Sequence, residues 1–320
     1  MSLKIIEEGL YTTIQDLGRK MRSYGFSATG PMDKNAMRLA NLIVGNDEND
    51  AVIEMSLIGP TIQFNRDALI AVTGADMSVN MDKISLESYR PIWIKKGSVV
   101  QFRPSKKGVY GYMAVRGGLQ SPKILGSRST VMRADIEGIA GRPLMNGDEI
   151  ALEPLDLSNH RKNWYVPTSF YDYVGSHSQV IHYIKGPQFN WFHSDSFSKQ
   201  KWKISTQSNR IGYRLQGEPV EMKHKEDLLT EATAFGTIQI PPNGQPIVLM
   251  ADAQPTGGYP KIGQVIKVDL PKLSQLALTG TVQFKEVSID EAYRLLREQE
   301  RHFHILKYFI EDKYKKDRGR

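Results

Sequence analysis

Residues 235–263 read FGTIQIPPNGQPIVLMADAQPTGGYPKIG, which is the densest grouping of turn-forming residues between two β-rich runs in the chain. Thr237 to Ile240 predicts a short strand. Pro241 to Gly244 predicts a turn, because proline fixes φ while Asn and Gly accept positive φ. Pro246 to Ala251 is nearly all apolar, which is typical of a strand buried on both faces. We call residues 235–263 the signature stretch, because its backbone path decides the fold expected for the second half.

The loop after this strand, PTGGYPKIG, combines two adjacent glycines with a proline on each side. The glycines permit close approach of another backbone or a ligand, and the prolines restrict the loop. One interpretation is a structural hairpin with a tight corner. The other is a pocket rim that presents polar side chains to a small ligand, namely Asp252, Gln254, Thr256, Tyr259 and Lys261.

Composition excludes several classes of protein. A chain of 320 residues with 40% hydrophobic content can bury a core as one large domain or two. The absence of cysteine excludes disulfides, thiolate metal sites and a cysteine nucleophile, and fits a cytoplasmic location. No secretory pattern or membrane-length apolar run is present, so we expect no membrane association. The net charge of +7 is scattered among acids without a nucleic-acid-binding motif, so we expect no nucleic-acid partner.

Many short β-rich runs, separated by Gly, Pro, Asn and Asp, indicate a mainly β fold of barrels or sandwiches. A helix is expected after Asp33, which can cap it, and should end at Gly45; its first amides are suited to hold an anion. A second helix should begin near Ser288 or Asp290. We predict a first barrel domain over 1–155, a connection over 156–178, a second barrel domain over 179–288, and a C-terminal helix with a basic tail over 289–320.

Familiar catalytic motifs are missing from the sequence. There is no G-x-S-x-G, H-E-x-x-H, Walker, dinucleotide-binding or kinase pattern, so a self-contained hydrolase of a common type is not expected. His302 and His304 cannot face the same way on a helix, and we predict no metal site.

Three arginines each lie beside glycine or hydroxyl residues, which suits a carboxylate or phosphate ligand: Arg116, Arg128 and Arg210. The alternative is an ordinary arginine at the end of a strand. Glycine-framed polar loops favour substrate positioning over a visible nucleophile.

Seven blocks of sequence occur in the order of a known family. They are GLYTTIQDLGR, GPMDKNAMRLANLIVGN, VIEMSLIGPTIQF, AVRGG, LGSRST with GRPL and NGD, SNRIGYRLQG, and the signature stretch. Together they resemble the family of the 5-oxoprolinase C subunit, also called allophanate hydrolase subunit 2 or the biotin-dependent carboxyltransferase family. Pro255 departs from the threonine expected there and stiffens the loop. The resemblance implies two cyclophilin-like β-barrel domains with a few short helices and a C-terminal helix, without implying prolyl isomerase activity.

The resemblance also implies a function. The chain is similar to the C subunit of an ATP-dependent 5-oxoprolinase, which works with a B-type partner of similar fold and an A-type partner to open 5-oxo-L-proline to L-glutamate. ATP and Mg²⁺ would serve the complex, since phosphorylating the lactam oxygen supplies a leaving group.

Two alternative functions stay open. One is a biotin-dependent carboxyltransferase acting on urea or a related amide, with biotin on a separate carrier. The other is a non-catalytic, Kip-antagonist-like regulatory binding protein.

Site residues follow from the positions that match the family blocks. The resemblance implies catalytic roles for Asp252, as a base or magnesium ligand, for Arg210, as a holder of oxyanions, and for Gln254, as a reader of the amide. The residues expected to bind or shape the pocket for a small amide or lactam are Arg116, Arg128, Gln245, Thr256, Gly257, Gly258, Tyr259, Lys261, Gln15, Asp16 and Asp33.

Overall fold

A computed structural model describes residues 2–132, 141–153, 163–193, 195–223 and 228–316. The fold is mainly β, with 34% strand and 20% helix, which confirms the predicted class. The chain forms two compact units: unit 1 comprises Met1–Arg19, Thr29–Gly175 and His302–Arg320, and unit 2 comprises Lys20–Ala28 and Ser176–Arg301. The predicted boundary at 155–156 and the end of the basic tail lie outside the described residues. The other predicted boundaries stay predictions.

Unit 1 contains two antiparallel sheets around one hydrophobic core. Its elements are β1 (Ser2–Glu7), β2 (Tyr11–Gln15), α1 (Lys34–Val44), β3 (Val52–Ser56), β4 (Thr61–Phe64), β5 (Ala68–Asp76), β6 (Asn80–Met81), β7 (Ile84–Ser85), β8 (Ile92–Ile94), β9 (Val99–Gln101), β10 (Lys107–Val115), β11 (Leu119–Gln120) and β12 (Glu149–Leu152). One sheet has the order β11-β12-β1-β4-β9-β6-β7 and the other β2-β3-β10-β5-β8. Ile5 and Ile62 from the first sheet and Ile53 and Met113 from the second belong to the same buried cluster.

Helix α1 follows the local sequence signals. The Asp33 side chain accepts a hydrogen bond from the Ala36 N–H at 2.9 Å, and Gly45 ends the helix with φ of 75°. Both predicted ends are thus confirmed. The anion site predicted at its start stays a prediction. The two N–H groups just before the helix are not open to an anion, because the Met32 N–H donates to Glu54 and the Asp33 N–H donates to the Tyr112 hydroxyl. Protein side chains already satisfy these amides.

Unit 2 is built on a closed barrel. Its elements are β13 (Ser178–Lys185), α2 (Asp195–Lys199), β14 (Lys201–Ile204), β15 (Gly212–Gln216), β16 (Glu231–Ala232), β17 (Thr237–Gln239), β18 (Ile247–Leu249), β19 (Thr256–Gly257), β20 (Lys261–Val265), α3 (Leu270–Ser274) and β21 (Thr281–Glu286). The barrel order is β13-β20-β17-β18-β15-β14-β21, and β16 pairs with β19 apart from it. Trp202, Tyr183, Phe197 and Phe284 are fully buried and mark its aromatic core. The signature stretch supplies β17 to β20, so both strands predicted there are present.

The last element is the long helix α4 (Ile289–Lys316). The Ser288 hydroxyl accepts the Glu291 N–H at 3.1 Å and caps its start, as predicted. From His302 onward the helix belongs to unit 1, where Phe303, Leu306 and Ile310 are buried. Within the described part of the chain, no helix has both the length and the apolar character needed to cross a bilayer.

An ion pair in unit 1 makes a testable link between pH and stability. Arg142 donates to both carboxylate oxygens of Asp148, at 2.7 and 2.8 Å, and these bonds lower the pKa of Asp148. A folded-state pKa below the unfolded value adds stability above the unfolded pKa of about 3.9, which is lost as pH falls through the folded pKa. We expect Arg142→Gln to flatten the dependence of the unfolding free energy on pH at the acid end.

Urea titrations between neutral pH and the acid limit of folding would measure this difference. Arg103→Gln is a suitable control, since Arg103 is exposed and has no side-chain partner among the described residues. Parallel pH profiles for the two variants would contradict the assignment.

Candidate functional site

Arg210 and Asp252, two of the predicted catalytic residues, form a buried ion pair in unit 2. The Arg210 Nε and Nη2 atoms donate to Asp252 Oδ2 and Oδ1 at 2.8 and 2.9 Å. The two residues are only 6% and 9% exposed. The Asp252 N–H also donates to the Arg210 carbonyl at 2.9 Å. Strand β18 leads into the loop that holds Asp252, β15 follows Arg210, and the pair locks that corner of the barrel.

This geometry bears on the roles predicted for Asp252. Magnesium prefers free carboxylate oxygens, and both oxygens of Asp252 face the Arg210 guanidinium. Among the described residues, no group of three His, Asp or Glu side chains is arranged to hold a metal ion. Asp252 therefore does not fit a magnesium ligand in this arrangement, and its role as a base stays a prediction.

Gln254, the third predicted catalytic residue, is held through its backbone. Its carbonyl accepts hydrogen bonds from Thr233 Oγ1 at 2.7 Å and from Arg22 Nη2 at 3.2 Å, while Arg22 also donates to the Thr233 carbonyl at 2.8 Å. Burial lowers the pKa of the Arg22 guanidinium. Gln254 is exposed, so its side chain remains available to a ligand. Arg22 was not predicted from the sequence, because it lies more than 200 positions from the loop that it supports.

Lys261 is a buried cation with a fixed carboxylate partner. It is 5% exposed, and its Nζ forms an ion pair with Glu231 Oε2. Gln188 links both partners, because its Nε2 donates to Glu231 at 3.3 Å and its Oε1 accepts the Lys261 N–H at 3.1 Å. The hydrogen bond from Lys261 lowers the pKa of Glu231. Glu231 and Gln188 lie outside the signature stretch and were not predicted.

The two predicted glycines differ in how tightly they are packed. A Cβ on Gly257 would lie 2.6 Å from Gln239 Nε2, whereas a Cβ on Gly258 would meet only the Thr230 hydroxyl at 3.7 Å. Gln239 Nε2 also donates to the Tyr259 carbonyl at 3.3 Å. Thr256 is exposed in strand β19, opposite Ala232. Gly257 thus serves close packing, while Gly258 leaves open space beside Tyr259.

Two cavities flank the Pro241–Asn243 turn and Tyr259. The polar cavity, of about 520 Å³, is lined by residues that include Arg214, Gln216, Asn243, Gln245, Ile247 and Tyr259. The apolar cavity, of about 850 Å³, is lined by residues that include Val220, Met222, Leu228, Ile240, Pro260 and Tyr259. Gln245 is fixed at the first, because its side-chain amide forms two 3.0 Å hydrogen bonds with the Gly217 backbone. Of the side chains predicted to form a pocket rim, Tyr259 lines both cavities, whereas Asp252, Gln254, Thr256 and Lys261 line neither, and the predicted rim stays a prediction.

In unit 1, Asp16 organises a buried polar cluster. Its carboxylate accepts hydrogen bonds from the Ser127 and Ser129 hydroxyls at 2.6 and 2.7 Å, and from the N–H groups of Arg128 and Gly18 at 2.6 and 2.9 Å. Because both hydroxyls donate to Asp16, neither offers its proton to an external oxyanion. Arg128 contributes its backbone to the cluster, and a ligand-binding role for its half-exposed side chain stays a prediction. Neighbouring Gln15 is buried and donates to Thr13 at 3.0 Å.

Asp33 belongs to a second buried network at the start of α1. Besides capping the helix, its carboxylate accepts the Tyr173 hydroxyl at 2.8 and 3.0 Å. The Tyr112 hydroxyl donates to Glu54 at 2.8 Å. Burial and the nearby Asp33 raise the pKa of Tyr173 well above its ordinary value, and burial with Glu54 does the same for Tyr112. Glu54 was not predicted, since nothing in a strand sequence marks one buried acid.

Arg116 caps the other end of α1. Its Nη1 donates to the Val44 carbonyl at 2.7 Å, and its guanidinium lies 4.7 Å from the centre of the Tyr314 ring. Burial raises the pKa of Tyr314 to about 12, and its hydroxyl donates to the Ile43 carbonyl. These contacts satisfy the carbonyls that a helix C-terminus leaves open. The role predicted for Arg116 in holding a ligand stays a prediction.

Comparison with known proteins assigns this fold to a class. Residues 24–286 match the family model of the carboxyltransferase domain, subdomain A and B. The crystal structure of Kluyveromyces lactis urea carboxylase superposes with a TM-score of 0.89 at 26% identity, over 95% of this chain and 29% of that one. The architecture is thus that of a carboxyltransferase domain.

Two bacterial proteins match along nearly their whole length. The chain is 37% identical over 314 residues to the 5-oxoprolinase C subunit of Haemophilus influenzae, covering 97% of this chain and 99% of that protein. It is 36% identical over 308 residues to the 5-oxoprolinase C subunit of Escherichia coli, covering 95% and 97%. The chain belongs to the carboxyltransferase domain family, and its predicted resemblance to the C subunit of 5-oxoprolinase is confirmed.

Proposed function

We propose that this chain is the C subunit of a heteromeric, ATP-dependent 5-oxoprolinase, in which it helps to bind and activate 5-oxo-L-proline for hydrolysis to L-glutamate. The observation that carries the proposal is the match to two bacterial 5-oxoprolinase C subunits, at 36–37% identity along nearly all of each chain. Both relatives are named as subunits, which supports the proposal that this chain acts within a complex of several subunits. A cytoplasmic location belongs to the same proposal.

The described site supports a positioning role for this chain. Two ion pairs, Arg210 with Asp252 and Lys261 with Glu231, hold the loop in one arrangement. Fixed groups of this kind stabilise developing charge without reorganising during the reaction. We assign ATP and Mg²⁺ to the complex as a whole, with a B-type 5-oxoprolinase subunit as the direct partner and an A-type subunit completing it.

One observation favours a second candidate. The likeness to urea carboxylase of K. lactis, at a TM-score of 0.89, supports a biotin-dependent carboxyltransferase acting on urea or a related amide. In that case biotin would be carried by another chain. Both candidates involve a small amide bound by the same domain. They differ in the substrate, which is 5-oxo-L-proline in one and urea or a related amide in the other, and in the use of ATP or a biotin carrier.

Reconstitution tests the proposal directly. The chain is co-expressed with the B-type protein of the same genome, the pair is purified, and the A-type protein is added. We expect glutamate to form from 5-oxo-L-proline only when ATP and all three chains are present, because amide-oxygen phosphorylation needs the complete set of charge-stabilising groups.

Full turnover without this chain would contradict the proposal. A stable pair that never turns over 5-oxo-L-proline, but carboxylates urea from a biotinylated carrier, would favour the second candidate. A stable pair inactive in both assays would indicate a regulatory binding protein.

A further inference from the structure

The polar cavity of unit 2 combines one cation with an absence of acids. Its volume of about 520 Å³ lies in the range of small-molecule sites. Arg214 contributes the single positive charge, and none of the described residues that line the cavity is Asp or Glu. The lining therefore carries a net positive charge, which favours an anionic occupant.

The Arg214 guanidinium is presented to this cavity by a rigid strand. In β15, Tyr213 and Leu215 are buried inside the barrel, while Arg214 and Gln216 alternate to the exposed face. The Arg214 backbone is fully engaged, because its N–H donates to Ser208 Oγ at 3.0 Å and its carbonyl accepts the Ser205 N–H at 2.9 Å. Its guanidinium has no hydrogen bond or ion pair within the described part of the chain. By contrast, Arg210, four positions earlier, is paired with Asp252.

Two amide side chains, of Asn243 and Gln216, line the same cavity as Arg214. Asn243 Oδ1 accepts the Gln245 N–H at 3.1 Å, which fixes the side chain and leaves its NH₂ group as a donor. The Gln216 side chain makes no hydrogen bond with another described residue, and it lies on the same strand face as Arg214. A carboxamide supplies both donors and an acceptor, so these two side chains match the two polar atoms of a ligand amide.

The cavity wall is rigid and partly apolar. Pro241 and Pro242 restrict the turn, which is closed by a 2.9 Å hydrogen bond from the Gly244 N–H to the Pro241 carbonyl. Gly244 has φ of 70°, and a Cβ there would lie 2.7 Å from Pro219, so the turn admits little change. Tyr259, 46% exposed, and Ile247 supply flat apolar contact. A preformed site of this kind loses little entropy when it binds a ligand.

We propose that the polar cavity binds a small carboxylate that also carries an amide, with Arg214 on the carboxylate and Asn243 and Gln216 on the amide. A guanidinium and a carboxylate form paired hydrogen bonds of matching geometry, which gives the site its orientation. The inference rests on the proposed function for its choice of probe, since 5-oxo-L-proline combines a carboxylate with a lactam.

The test measures binding of 5-oxo-L-proline to the full chain, alone and paired with its B-type partner, by calorimetry. We expect Arg214→Gln to weaken binding about 10- to 100-fold, the loss typical of a charge-assisted pair, and Arg214→Lys to weaken it less. Pyrrolidin-2-one, which has the lactam but no carboxylate, should bind weakly and equally to the unmodified chain and Arg214→Gln. Asn243→Ala should weaken binding of both compounds.

Arg297→Gln is the matched control, because it removes the same charge from an exposed position of α4 without a side-chain partner among the described residues. Three outcomes would overturn the inference. They are equal losses of binding in Arg214→Gln and Arg297→Gln, unchanged binding in Arg214→Gln, and no binding by the unmodified chain, either alone or paired with its B-type partner. In the reconstituted complex, turnover with an unchanged KM in Arg214→Gln would overturn this site alone. Binding that depends on Arg214 in a complex without turnover would instead overturn only the proposed 5-oxoprolinase function.

Discussion

Asp252→Ala is expected to lower the unfolding free energy of unit 2 by about 3–5 kcal/mol, the usual cost of removing one partner from a buried ion pair. The Arg210 guanidinium is 6% exposed, so without Asp252 it stays buried and loses its two hydrogen bonds at 2.8 and 2.9 Å. Water cannot easily replace a carboxylate whose side chain is itself only 12% exposed. The loss of unfolding free energy therefore comes mainly from leaving the Arg210 charge buried without a partner, and less from losing the attraction between Arg210 and Asp252.

A double variant separates these two contributions. Replacing both partners by apolar residues, Arg210→Met with Asp252→Leu, removes the attraction and the stranded charge together, and such replacements are often close to neutral. We expect the double variant to be more stable than Asp252→Ala. Urea unfolding, monitored by hydrogen exchange of the amides in unit 2, measures this difference. If the double variant were as unstable as the single one, hydrogen bonding of the loop, and not charge burial, would be the main effect of the pair.

Asp16→Ala should have a comparable effect on unit 1, on the order of 3–5 kcal/mol, because several buried donors lose their acceptor at once. Two of them are backbone N–H groups, of Arg128 and Gly18, which cannot turn toward another acceptor. The hydroxyls of Ser127 and Ser129 also donate to this carboxylate. Loss of Asp16 should therefore release the Ser127–Ser129 segment together with the segment after β2.

Hydrogen exchange by mass spectrometry would locate the effect in unit 1. Asp172→Ala serves as the control, since it removes the same charge from an exposed side chain in that unit, and surface changes usually stay within about 0.5 kcal/mol. Ser129→Ala should cost less than Asp16→Ala. It removes one donor to the carboxylate and the acceptor of the Asp16 N–H, but leaves the other three donors to the carboxylate bonded. Equal stability of Asp16→Ala and Asp172→Ala would show that the cluster is not a source of stability.

Together, these expectations assign different roles to the predicted site residues. Asp16 and Asp33 hold backbone and tyrosine donors in unit 1, and Asp252 holds Arg210 in unit 2. In the signature stretch, the residues that line the two cavities belong to the segments 240–247 and 258–260, and Tyr259 lines both cavities. Residues of one sequence motif therefore divide between supporting the loop and lining a pocket.

Local sequence determined those features that depend on residues a few positions apart. Asp33 and Gly45 fix the ends of α1, and Ser288 fixes the start of α4, because capping joins a side chain to an amide within the same turn. The Pro241–Gly244 turn and the alternation of short β runs likewise gave the strands of the signature stretch and the mainly β class.

Only the tertiary structure decided which distant residues meet. Asp252 pairs with Arg210 across 42 positions, Asp16 with Ser129 across 113, and Arg22 with Thr233 across 211. Glu231 reaches Lys261 because β16 and β19 pair apart from the barrel. Strand periodicity tells which face a residue takes, but not which strand lies beside it. That choice depends on strand order and register, which are set by packing of the whole core.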